Sequence, residues 1–124
     1  MKDSISQTSI LIVDDEAQIL KILAKILSGE GYKTFTALSG AQALEHIKSN
    51  HIDLMVVDLK MPNMDGLETL KKAKEIQCDI RAILLTGYGT ATSAREAMLL
   101  GVSDFIAKPF DNKVLKKLVR EVLK

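Results

Sequence analysis

The chain has 124 residues, the size of one domain, and 47% of them are apolar, enough to fill one core. Its formal charge of +1 offers neither a basic field for nucleic acid nor an acidic one for cationic partners, so any partner must be recognised locally. No apolar stretch approaches the ~20 residues of a membrane helix, the opening MKDSISQTS is too polar for a signal peptide, and the single cysteine, Cys78, cannot close an internal disulfide.

These features lead to the expectation of one cytoplasmic domain over 1–124, with a polar tail at 1–8 and no direct contact with nucleic acid or membrane. Along the chain, strand-like and helix-like patterns alternate five times. Residues 9–14 (SILIVD) are a continuous apolar run suited to a strand buried on both faces. Ile19, Leu20, Ile22, Leu23, Ile26 and Leu27 then repeat at helical spacing until Gly29 and Gly31 stop them. Residues 32–37 alternate as a weaker, flanking strand, and Ser39 with Gln42 three residues on reads as a capping box for a helix through about Lys48.

A third strand is expected over 53–58, then a loop holding Pro62 and Gly66, both read as ordinary turn residues, and a helix with Leu67, Leu70 and Ala73 on one side. The fourth strand is expected over 80–86 and, after a turn loosened by Gly87 and Gly89, a helix over 91–100. The fifth strand is placed at 103–107, and Asp111 caps a last helix whose Val114, Leu115, Leu118, Val119 and Val122 form one apolar stripe. Strands alternating with helices of this length imply right-handed crossovers and a parallel sheet covered on both faces. In such sheets the ligand site lies beyond the carboxyl ends of the strands.

Reactive side chains sit at those ends. The first run stops at Asp14 and Asp15, the third at Asp58, the fourth at Thr86 and the fifth at Lys108. Carboxylates gathered in this way stay ionised together only beside a cation or a lysine. Mg²⁺ is the natural partner, because it prefers oxygen ligands and uses one or two carboxylates with phosphate oxygens and waters. Lys108 supplies a compact positive charge and Thr86 a hydroxyl donor, which suits a phosphoryl-transfer site with a carboxylate nucleophile.

Four segments in this order and spacing, ILIVDDE, LMVVDLKMPNMDGLE, AILLTGYG and DFIAKPF, make the chain resemble the receiver domain of two-component response regulators, of the chemotaxis-receiver kind. The resemblance spans essentially the whole chain and implies a flavodoxin-like, doubly wound α/β fold: a five-stranded parallel sheet of order 2-1-3-4-5 with five helices on its two faces. It implies that Asp58 accepts the phosphoryl group, and that Asp14, Asp15, Asp58 and the backbone carbonyl of Lys60 hold Mg²⁺, for which Mn²⁺ would substitute. Lys108 becomes the counter-charge, Thr86 the hydroxyl that moves toward the phosphoryl group, and Phe105 the aromatic switch that turns inward as Thr86 shifts. The Lys108–Pro109 bond would be cis.

The expected partners are a sensor histidine kinase or histidine phosphotransfer protein, a downstream protein or output domain, and a second copy in a phosphorylation-dependent dimer. Readout would fall on the surface of the fourth helix, fifth strand and fifth helix. Lys60 and Tyr88 border the expected path of attacking water and would lengthen the phosphorylated state. The chain is read as a self-modifying switch rather than an enzyme of turnover. A haloacid-dehalogenase-type phosphatase is disfavoured because Lys60 stands where that family expects a second Asp. A receiver cut from a larger regulator, and a receiver that binds partners without phosphorylation, stand as alternatives.

Taken singly, Asp14 or Asp15 reads as a helix cap and Phe105 as plain core. The groups Lys71, Lys72, Lys74 and Lys113, Lys116, Lys117, Arg120 read as solvated helix faces, and His46 and His51 as surface residues far from the strand ends.

Overall fold

A computed structural model describes residues 7–87 and 91–124. The chain alternates strictly: β1 (Ser9–Val13), α1 (Ala17–Gly29), β2 (Lys33–Ala37), α2 (Gly40–Ser49), β3 (Leu54–Asp58), α3 (Gly66–Ile76), β4 (Arg81–Thr86), α4 (Ala91–Leu99), β5 (Asp104–Ala107) and α5 (Asn112–Val122). All neighbouring strands are parallel, in the order β2-β1-β3-β4-β5. The expected flavodoxin-like order is therefore the observed one.

The inner strands β1, β3 and β4 are largely apolar because both faces of the sheet are covered, whereas edge strand β2 is mixed, and the period of two sorts the inner strands' side chains between two cores. Ile10, Ile12, Leu54, Val56, Ile83 and Leu85 point to one side, where Leu20, Leu23 and Leu27 of α1 and Leu115 and Val119 of α5 meet them. Leu11, Val13, Met55, Val57, Ala82 and Leu84 point to the other, against Ala43 and Ile47 of α2, Leu70 and Ala73 of α3, and Ala97 of α4. No helix among the described residues is long and apolar enough to cross a membrane.

Caps set most helix starts. Ser39 Oγ accepts from Gln42 N at 3.2 Å, while Gln42 Oε1 accepts from Leu38 N at 2.8 Å, so the reciprocal arm of the capping box reaches one residue further back than expected. Asp65 caps α3 by accepting from Glu68 N, and Asp111 caps α5 by accepting from Lys113 N. Gly31, just past α1, has φ +97°, the left-handed conformation that glycine adopts without strain.

Two sequence expectations change. Gly66 is not an ordinary turn residue: a Cβ there would overlap the Asp58 carbonyl and lie 2.9 Å from Leu59 Cα. Lys74 does not lie on a solvated face, because it is half-buried and its Nζ donates to the Ile80 carbonyl at 2.9 Å, tying α3 to the start of β4. His51 is exposed, as read, whereas His46 is half-buried. His46 Nε2 lies 3.0 Å from Thr36 O on edge strand β2, and His51 sits between Asp53 and Asp79.

Candidate functional site

Four neighbouring strands deliver their last residues to one edge of the sheet. β1 ends before Asp14, β3 at Asp58, β4 at Thr86, and β5 just before Lys108. Backbone hydrogen bonds fix these ends against one another: Asp14 N donates to Ala37 O at 3.1 Å, Leu59 N to Leu85 O at 2.8 Å, and Lys108 N to Thr86 O at 2.8 Å. The chain therefore turns away from the sheet with its polar side chains held on hydrogen-bonded backbone.

Asp14 is fully buried and Asp58 nearly so. Lys108 Nζ lies 3.0 Å from Asp14 Oδ2 and 3.4 Å from Asp58 Oδ2, so one ammonium bridges both carboxylates. The second Asp14 oxygen accepts from Glu16 N at 2.9 Å, and Asp58 Oδ1 receives Lys60 N at a long 3.4 Å. Burial raises the Asp58 pKa, the Asp14 charge raises it further, and Lys108 opposes both. For Lys108, burial works against the ammonium, yet the hydrogen bond and charge of Asp14, with Asp58 behind them, keep its pKa above the ordinary lysine value. The site thus holds a buried carboxylate with raised basicity beside a lysine that stays charged.

Asp14, Asp15 and Glu16 each offer an oxygen, and these oxygens lie within 4.8 Å of one another. The donor set is all carboxylate, the chemistry of a hard divalent cation, and Asp15 and Glu16 face solvent, which leaves an approach open. Lys108 supplies one positive charge against four carboxylates, so the residues present fit a divalent ion. Thr86 Oγ1 is a second sign of an absent ligand: it is buried and, among the described residues, has no hydrogen-bond partner.

The structure therefore gathers Asp14, Asp15, Asp58, Thr86 and Lys108. The Lys108–Pro109 bond is cis. Phe105, expected to turn inward, is half-buried and packs against the core on the α2, α3 and α4 side. Lys60 lines a cleft of about 430 Å³ beside the site, together with Leu59, Met61, Pro62, Asp65 and Leu67. Tyr88 lies outside the described residues. Sequence reasoning passed over two residues here. Glu16 was legible as the third acid of the run Asp14-Asp15-Glu16; the close approach of Gly66 to Asp58 left no local signal.

The chain is similar in sequence and in fold to known proteins. The family model described as the response regulator receiver domain matches residues 10–120. Sporulation initiation phosphotransferase F of Bacillus subtilis (strain 168) is 41% identical over 114 residues, which cover 92% of each chain. The transcriptional regulatory protein ZraR of Klebsiella oxytoca is 38% identical over 117 residues, 94% of this chain but 26% of that one. Among solved structures, a CheY-like receiver domain protein from Methanospirillum hungatei JF-1 superposes with a TM-score of 0.92 at 32% identity, covering 95% of this chain and 94% of that one.

Proposed function

The chain belongs to the family of response regulator receiver domains, and from that membership we propose that it is a phosphoacceptor switch whose nucleophile is Asp58. The observation that carries the reading is the Lys108 ammonium bridging Asp14 and Asp58 at the mouth of the sheet. It keeps a nucleophilic carboxylate ionised in a buried position, with a fixed positive charge where phosphoryl oxygens would lie.

In the proposed reaction a phosphohistidine of a partner kinase or phosphotransfer protein presents its phosphoryl group to Asp58 in line. The bond from phosphorus to the Asp58 oxygen forms as the phosphorus–nitrogen bond breaks, and the imidazole leaves with the electron pair. Lys108 neutralises one transferring oxygen, and the Thr86 hydroxyl, buried and unpartnered among the described residues, donates to another. Asp14 and Asp15, with Asp58 and the Lys60 carbonyl, would hold Mg²⁺, or Mn²⁺ in its place. Such an ion, when bound, supplies the remaining charge neutralisation for the phosphoryl oxygens.

As Thr86 moves toward the new acyl phosphate, Phe105 settles further into the core, and the face of α4, β5 and α5 changes shape for a downstream partner or a second copy. Water then attacks phosphorus, phosphate leaves and Asp58 is regenerated, so the chain modifies itself rather than turning over a substrate. A cytoplasmic location suits this exchange with kinases.

The test is to incubate the chain with Mg²⁺ and a small acyl-phosphate donor and to weigh the intact protein. One added phosphoryl group is expected, absent in Asp58→Asn and absent without divalent metal. Retention of the modification in Asp58→Asn would overturn the assignment. A second reading, a receiver that governs an attached output domain, is favoured by ZraR, of which the matched segment is about a quarter.

A further inference from the structure

We infer that Glu16 is a further binding residue for the divalent cation, adding a fourth carboxylate, on the solvent side, that tightens the site and sets the concentration at which it fills. The inference rests on the phosphoacceptor reading, because it takes the cation as given.

Three observations carry it. A Glu16 oxygen lies within 4.8 Å of oxygens from both Asp14 and Asp15, near enough to share one hydrated ion. The charge of the neighbouring pair is already shared, since Lys108 bridges Asp14 and Asp58, whereas no hydrogen bond or ion pair among the described residues reaches the Asp15 or Glu16 carboxylate. Two uncompensated negative charges therefore stand side by side at the mouth of the site. Finally, Glu16 occupies the N-cap position of α1 without its side chain capping the helix. Its backbone N–H donates to Asp14 Oδ1 at 2.9 Å, which anchors this residue to the buried acid while its carboxylate stays exposed and available.

Attraction between a single negative charge and a divalent ion about 6 Å away in a watery environment corresponds to roughly a tenfold change in affinity, falling to a few-fold as salt screens it. An exposed carboxylate also keeps the ion exchangeable, which suits a switch that must load and unload.

The experiment is calorimetric titration of MgCl₂ into the full chain at low salt, with Glu16→Gln, Glu16→Asp, Asp15→Asn and, as a remote charge control on α2, Glu45→Gln. Glu16→Gln is expected to weaken binding by about three- to tenfold, with the gap narrowing as salt rises. Glu16→Asp and Glu45→Gln should stay near wild type. If Glu16→Gln binds within twofold of wild type while Asp15→Asn loses most affinity, the role of Glu16 is overturned and the cation site stands. If Asp15→Asn also binds like wild type, the cation site itself is wrong. Circular dichroism on each variant separates these outcomes from loss of fold.

Discussion

Lys108 Nζ lies 3.0 Å from Asp14 Oδ2, joining residues 94 positions apart. The ammonium comes from the far end of β5 and the carboxylate from the end of β1, with β3 and β4 between them in the sheet. Asp58, at the end of β3, is the second acid within reach, at 3.4 Å. One cation thus balances two buried acids and binds three strand ends.

Removing that charge exposes what it balances. Lys108→Met leaves the buried Asp14 and Asp58 facing each other, and should cost about 1–3 kcal/mol of stability, less than a fully buried pair because Lys108 is itself partly exposed. Added Mg²⁺ should recover part of the loss, since a ligand that binds only the folded state stabilises it. Thermal unfolding with and without Mg²⁺ reads this directly. An unchanged melting temperature in the metal-free variant would refute the bridging role.

Asp58→Asn should act in the opposite sense. The pKa of Asp58 is raised by burial and then by Asp14, so its ionised form destabilises the fold. The cost grows as pH rises above the ordinary aspartate value of 3.8, is complete above the raised folded value, and vanishes in acid. The amide should therefore stabilise the metal-free chain at pH 7, with the gain disappearing below that ordinary value. Urea unfolding at several pH values measures it; a gain independent of pH would rule out ionisation as the cause.

At Gly66 the constraint is space. Its N–H donates to Leu59 O at 2.9 Å, and a methyl group at its Cα would press on the Asp58 carbonyl. Gly66→Ala should cost roughly 1–3 kcal/mol, as overpacking does, and should slow phosphorylation by displacing the strand end that carries Asp58. Wild-type stability together with wild-type phosphorylation would show that the loop yields freely.

Lys60 lines the cleft beside Asp58. Lys60→Ala, and Tyr88→Ala as the companion variant chosen from sequence, should speed loss of the phosphoryl group by more than about twofold by opening the water path, a barrier change under 1 kcal/mol. Decay of the isolated phosphoprotein gives the rate. Unchanged or slower decay in both variants would sink the proposal.

Much of this molecule is legible before folding. The inner strands are apolar runs because the sheet is covered on both sides, and each run stops at the carboxyl edge of the sheet, so Asp14, Asp58, Thr86 and Lys108 announce both the strand ends and the chemistry. The helices follow from their apolar stripes, and Ser39 and Asp111 are caps in sequence and in structure.

Other features needed the third dimension, because local periodicity reports which face a residue occupies but not which distant backbone lies against that face. The approach of Gly66 to Asp58, the reach of Lys74 to Ile80, and the existing burial of Phe105 depend on how helices and loops pack on the sheet. So does the choice of Asp14 as the nearer partner of Lys108. The sequence alone determined which chemical groups stand at the strand ends; the order and parallel register of the strands decided which of them touch.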